Sequence, residues 1–163
     1  MERAQKEALW YFAYGSNMHR AIFCDRRRMR PLTARWGWLE NYRLCFNLPV
    51  GSGERGVANV EPEEGARTCG VLYLLTPEEF DRLDRTEGVH LGVYRRIPVE
   101  VVTEGEERVS AFTYQSPLTR PSRKPSARYM RLLVEGAEQH GLPVEYVHFL
   151  ESFELARDER EGA

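Results

Sequence analysis

Tyr11-Phe12-Ala13-Tyr14-Gly15-Ser16-Asn17-Met18 sets aromatic rings directly against a run of three small or polar residues. With Leu9 and Trp10 ahead of it, the stretch reads as a buried strand from Leu9 to Tyr14 that breaks at Gly15. A strand that merely ended would need one turn residue. Gly15, Ser16 and Asn17 together describe an edge with a task beyond turning the chain. Ser16 sits where a nucleophile after a strand would sit, but the nucleophile elbow requires G-x-S-x-G. The chain reads Ala13-Tyr14-Gly15-Ser16-Asn17 instead, so a Ser/His/Asp hydrolase is weakly supported.

Around this edge the chain has the composition of a folded protein. Its 163 residues are 42% hydrophobic and 29% charged, with a formal net charge of −2. That length predicts one domain over 1–163, with a core at 8–155 and a frayed tail at 156–163. No global basic field points to nucleic acid. The one dense basic run, Arg26-Arg27-Arg28 with Arg30 behind it, reads as a solvated helix face or loop. Cys24, Cys45 and Cys69 stand far apart and show no C-x-x-C, which points to buried thiols in a reducing cytoplasm. The N-terminal M-E-R-A-Q-K-E-A lacks the apolar core of a signal peptide, and no apolar run reaches membrane-spanning length.

Further along, residues 18–29 are predicted as a basic helix with Ile22 and Met29 on one side. Trp36 to Phe46 is predicted as a strand, with short strands at Val57–Val60 and Gly70–Leu75. Thr76-Pro77-Glu78-Glu79 is a helix start: Thr76 caps, Pro77 suits the first helical position, and Glu79 completes a capping box. Phe80 and Leu83 then face the core. Ile97, Val99 and Val101 alternate, Glu104-Gly105 turns the chain, and Val109 to Tyr114 returns as a hairpin. Pro117 to Pro125 is a loop. Met130, Leu133, Val134 and Ala137 recur at helical spacing. Gly141-Leu142-Pro143 ends that helix and starts another, striped by Val147, Leu150 and Phe153. Strands first and helices last predict an α+β fold, with an antiparallel sheet or small barrel.

Two apparent motifs carry little. Gly51-Ser52-Gly53-Glu54-Arg55-Gly56 matches G-x-G-x-x-G, but β-prone Val57-Ala58-Asn59-Val60 and Pro62 stand where a dinucleotide site needs a helix. A flexible hairpin loop is the better reading. His19, His90, His140 and His148 show no metal spacing, and His140 beside Gly141 reads as a cation at a helix C-terminus. No metal and no cofactor are expected.

One carboxylate stands out. In Leu83-Asp84-Arg85-Thr86-Glu87-Gly88-Val89-His90, a helix from Pro77 ends near Glu87, and Gly88 takes the position after the cap. The negative end of the helix would raise the pKa of Glu87, in the direction wanted for a base that must also return its proton. From position alone a solvated surface glutamate is the commoner outcome. Asp84 and Glu78 read as ordinary helix-surface acids.

Three blocks settle the balance: Tyr11 to Met18, then L-D-R-T-E-G-V-H-L-G-V-Y ending at Tyr94, then P-S-A-R-Y-M-R-L-L-V-E-G-A-E-Q-H-G-L-P-V-E-Y. In this order they resemble the γ-glutamylcyclotransferase (AIG2-like) family over roughly residues 9–155. The resemblance implies a small mixed or antiparallel β-barrel with surrounding helices and an active-site cavity at one end. It implies a chemistry in which a γ-glutamyl group cyclises to 5-oxoproline and releases an amino acid or amine. It implies Glu87 as general acid/base. Tyr11, Phe12, Ala13, Tyr14, Gly15, Ser16 and Asn17 would form the substrate-binding loop, Tyr129 would reach the glutamyl group, and Tyr114 would line the cavity. The expected partner is a small γ-glutamyl molecule, with neither nucleic acid nor membrane, and the resemblance also points to a homodimer. Two alternatives stay open. The leaving group could be an amine or a protected natural product, met by residues 51–55 and 117–124, or the fold could serve as a non-catalytic binding domain.

Overall fold

Five strands close into a barrel in the computed structural model, which describes residues 7–157. They are β1 (Leu9–Ala13), β2 (Ala34–Pro49), β3 (Gly56–Leu75), β4 (Arg95–Thr103) and β5 (Arg108–Gln115), and the order around the barrel is β1-β3-β2-β4-β5. Neighbours run antiparallel except at the seam, where β1 meets β5 in parallel at Tyr11 and Phe112. The barrel implied by the resemblance is the one the chain forms. The residues at 1–6 and 158–163, including most of the N-terminal octapeptide and of the expected tail, lie outside the described residues.

Period-two alternation accounts for β4 and β5, where Val101 stands opposite Val109 and both are buried. The two short strands expected at 57–60 and 70–75 are instead the two arms of one strand, β3. Pro62 does not stop it. Glu40 pairs with Arg67 while Tyr42 pairs with Pro62, so residues 63–66 bulge out opposite Asn41. Asn41 and Gly65 take positive φ there, 66° and 84°, and the Asn41 side chain accepts from Gly65 N–H at 3.0 Å. A proline without an N–H is tolerated beside such a bulge. Gly51 to Arg55 lie in the turn between β2 and β3, so the hairpin reading of the glycine-rich stretch holds.

The basic helix expected over 18–29 is absent. A single 3-10 turn, Ser16–Met18, leads into a six-residue π-helical segment, Ala21–Arg26. Ile22 and Phe23 within this segment and Met29 beyond it are buried, and they draw the chain inward. Helix α1 (Pro77–Thr86) starts as predicted, with Thr76 Oγ1 accepting from Glu79 N–H at 3.3 Å. The return half of the capping box differs: a Glu79 carboxylate oxygen accepts from Arg30 N–H at 2.7 Å. Phe80 and Leu83 are fully buried, each burial contributing about 1.5–3 kcal/mol.

Helix α2 (Ala127–Gln139) is capped by Ser126, whose hydroxyl accepts from Tyr129 N–H at 3.0 Å. It lies against the 3-10 turn so closely that a Cβ on Gly136 would stand 2.8 Å from the Met18 carbonyl carbon. Helix α3 (Val144–Glu151) comes after the Gly141 break. His140 is not the expected cation. Burial lowers its pKa, and its Nε2 lies 3.2 Å from the Tyr73 hydroxyl.

Candidate active site

Where β1 ends, the chain turns inward through Tyr14 and Gly15 into the 3-10 turn. A cavity of about 180 Å³ opens beside it. Tyr11, Tyr14, Gly15, Ser16 and Asn17 form one wall, and Glu87 enters from the C-terminus of α1. Tyr129 comes from the first turn of α2 and Tyr114 from the end of β5. Segments far apart in the sequence meet here.

Glu87 is the C-cap of α1, and Gly88 behind it takes φ +69, the left-handed turn expected of the residue after a helix. Its Oε1 accepts from Asn17 Nδ2 at 2.9 Å. The same nitrogen donates to the Tyr11 hydroxyl at 2.9 Å, and Asn17 Oδ1 accepts from Arg27 Nε at 2.6 Å. Burial raises the Glu87 pKa. The charge of Arg27 and the Asn17 hydrogen bond oppose that rise, and Asp84 adds to it. The direction matches the sequence expectation, but loss of solvent is the leading cause.

Gly15 is required for space. Its φ is −115°, yet a Cβ there would meet the Tyr129 hydroxyl at 3.0 Å and the Ala58 Cβ at 3.3 Å. The Tyr129 oxygen accepts from Ala58 N–H at 3.1 Å and from the Ser16 backbone. Burial pushes its pKa up to about 12, so it holds its proton at neutral pH. Tyr94 donates to the Ala58 carbonyl at 2.7 Å, so two tyrosines hold Ala58 by its N–H and its carbonyl at the cavity wall.

Tyr114 is tied to the helix behind Glu87. Its hydroxyl donates to Asp84 Oδ1 at 2.5 Å, and the Tyr14 hydroxyl donates to its carbonyl. Asp84 is therefore no ordinary surface acid. Arg96 grips it with Nε at 3.1 Å and Nη2 at 2.7 Å while lying 3.9 Å over the Phe80 ring. Glu78 is exposed, as expected.

Phe12 and Ala13, expected in the binding loop, are fully buried in the core and do not line the cavity. Alternation along β1 sends Phe12 to the opposite face from Tyr11. Residues missed from the sequence are Arg27, Val57, Ala58 and Tyr94, all of which line the cavity. Tyr94 closes the block that starts at Leu83 and so carried a signal. Arg27 carried none, because a run of arginines reads as solvated. Residues 119 and 121–125 line a separate cavity of about 560 Å³ with Arg43, Glu61 and Phe153, apart from Glu87. Among the described residues no group of three or more His, Cys, Asp or Glu is placed to hold a metal ion. No helix among them is long and apolar enough to cross a membrane.

Comparison with known proteins gives this barrel and cavity a class. Residues 67–150 match the model of the AIG2-like family. Bovine gamma-glutamylcyclotransferase is 31% identical over 155 residues, covering 91% of this chain and 80% of the relative. Gamma-glutamyl cyclotransferase verK of Clonostachys rogersoniana is 32% identical, covering 76% of this chain and 82% of the relative. A solved structure of a gamma-glutamyl cyclotransferase matches with TM-score 0.82 at 27% identity, over 94% of this chain and 91% of that one. The chain belongs to the AIG2-like family and is an enzyme of the gamma-glutamylcyclotransferase type.

Proposed function

We propose that the protein cyclises small γ-glutamyl compounds, γ-glutamyl amino acids among them, to 5-oxoproline and a free amino acid or amine. The observation that carries this reading is Glu87. It is a carboxylate held by Asn17 at the wall of a cavity, with burial raising its pKa. In this reaction the substrate's α-ammonium must lose a proton before its nitrogen attacks the γ-carbonyl. A carboxylate of raised pKa takes that proton and returns it to the departing nitrogen as the amide C–N bond breaks. The new C–N bond closes the lactam ring. Both reacting groups belong to one molecule, so the protein's main work is to hold the bent conformer, and no covalent nucleophile is needed.

Charge develops on the γ-oxygen in the tetrahedral intermediate. Of the N–H groups opening the Ser16–Met18 turn, Ser16 donates to Tyr129 and Met18 to the Gly15 carbonyl, so Asn17 N–H is the one suited to receive it. Tyr129 adds a donor: its oxygen accepts from two backbone N–H groups, which leaves its own proton for the substrate. Tyr11, Tyr14 and Tyr114 supply a rigid wall. Free Cys24, Cys45 and Cys69 fit a reducing compartment such as the cytoplasm.

The test is incubation with a panel of γ-glutamyl amino acids and γ-glutamylamines, then mass spectrometry for 5-oxoproline. Product from at least one member is expected, and the panel identifies the amine. No product from any member would end the proposal.

A further inference from the structure

Arg27 belongs to a run that reads as solvent-facing, yet it alone of that run lines the Glu87 cavity. Arg26 and Arg28 are exposed on either side. The backbone brings this about. The Ala21–Arg26 segment is π-helical, and Arg27 N–H reaches back five residues to Ile22 carbonyl oxygen at 3.0 Å. Buried Ile22 and Phe23 anchor the segment, and Arg28 reverses the chain with φ +56 before buried Met29. The extra residue in the turn rotates the chain beyond it, a device found often at functional sites.

Once inside, Arg27 makes one contact that decides a second. An asparagine amide can point either way, and its partners choose. Arg27 Nε–H can only donate, so Asn17 must present its oxygen to it, at 2.6 Å. The Asn17 nitrogen is then forced toward the other side, 2.9 Å from both Glu87 Oε1 and the Tyr11 hydroxyl. The flipped amide would set N–H against N–H and oxygen against carboxylate oxygen.

We infer that Arg27 is a positioning residue, which locks the Asn17 amide so that it holds the Glu87 carboxylate in the orientation required for proton transfer. This rests on the proposed role of Glu87. The other groups facing that carboxylate are Tyr11 from β1, Tyr14 and Asn17 from the loop, Asp84 from α1, and Tyr94 and Tyr129 across the cavity. All the tyrosines are held protonated by burial, so Arg27 and Asp84 are the opposing charges.

The experiment compares the wild type with Arg27→Gln and Arg27→Lys by two readouts. The first is the pH profile of 5-oxoproline formation. Arg27→Gln is expected to lower kcat by about 10²-fold, the size of a misplaced reacting group, with KM little changed. Because the cation favours the ionised carboxylate, its loss moves the acid limb of kcat/KM to higher pH, and Arg27→Lys returns it toward the wild-type position. A loss confined to KM, or an unmoved limb with wild-type kcat, overturns the inference. The second readout is the carboxyl titration of Glu87 by carbon NMR in the unliganded protein, expected to shift upward in Arg27→Gln. It does not depend on turnover. A shift without any 5-oxoproline from the wild type would overturn the proposed reaction, and with it the part in proton transfer, while leaving the hold of Arg27 on the carboxylate; no shift would overturn the inference alone. If Arg27→Gln does not fold, Arg27→Met, which keeps the packing of the stem, takes its place.

Discussion

The Asn17 side-chain nitrogen lies 2.9 Å from Glu87 Oε1, a contact across 70 residues of chain that joins the loop after β1 to the end of α1. This hydrogen bond stabilises the ionised carboxylate against the rise that burial imposes. Asn17→Ala removes it. The expected outcome is a higher Glu87 pKa, and so an acid limb of kcat/KM displaced to higher pH, measured on the pH–rate profile of 5-oxoproline release. An acid limb that stays in place would mean that Asn17 does not serve Glu87.

The raised pKa has a consequence for stability. A carboxyl group with a folded pKa above its unfolded value favours the folded state at low pH and destabilises it as pH rises through the window between the two. Glu87→Gln removes that titration while its amide oxygen can still accept from Asn17. Its melting temperature is therefore expected to equal or exceed that of the wild type at pH 7. The advantage should shrink as the pH falls to 4. Thermal melts of both proteins across that range give the comparison, and a Gln variant less stable at pH 7 than at pH 4, relative to wild type, would reverse the sign.

Much of the fold was open to reading in the sequence, and the reasons for the gaps are physical. Thr76, Pro77 and Gly88 are local signals, since capping and the left-handed turn depend on neighbours in the chain, and they bound α1 correctly. The hairpin of β4 and β5 came from alternation. The continuity of β3 did not, because Pro62 argues locally for a stop and only the bulge opposite Asn41 accommodates it. In the site, Glu87, Tyr14 and Tyr129 were reached through family-like motifs, whereas Phe12 and Ala13 were carried along with their neighbours and face the core. Arg27 and Ala58 were invisible, since their places depend on a π turn and on two tyrosines from distant segments.

Gly15 separates spatial need from backbone strain. Its φ of −115° is not the left-handed turn that calls for glycine, and the contact Gly15→Ala introduces is that of the added methyl. That methyl would press on the Tyr129 hydroxyl at 3.0 Å and shift it from the Ser16 and Ala58 N–H groups. Activity is expected to fall by up to about 10²-fold through displaced donors. The melting temperature should change little. Full turnover in Gly15→Ala would show that the position of Tyr129 is not critical.

Gly136 gives a test at a distance from the cavity. An added Cβ would stand 2.8 Å from the Met18 carbonyl carbon and 2.8 Å from His19 N. Backbone cannot yield there as a flexible side chain would, so Gly136→Ala is expected to cost about 1–3 kcal/mol by chemical denaturation. It should also lower activity, because the turn it pushes carries Ser16 and Asn17. A stable, fully active Gly136→Ala variant would mean that α2 does not hold this turn in place.

The proton carried by Glu87 is the centre of the proposed reaction. The decisive measurement is the rate of 5-oxoproline release by wild type and by Glu87→Gln, side by side on one γ-glutamyl substrate from the panel. The wild type is expected to release 5-oxoproline and free amine in equal amounts, and the folded Gln variant to turn over about 10²–10⁴-fold more slowly, the usual contribution of a general acid/base. Near-normal turnover by Glu87→Gln would contradict the assignment of the base.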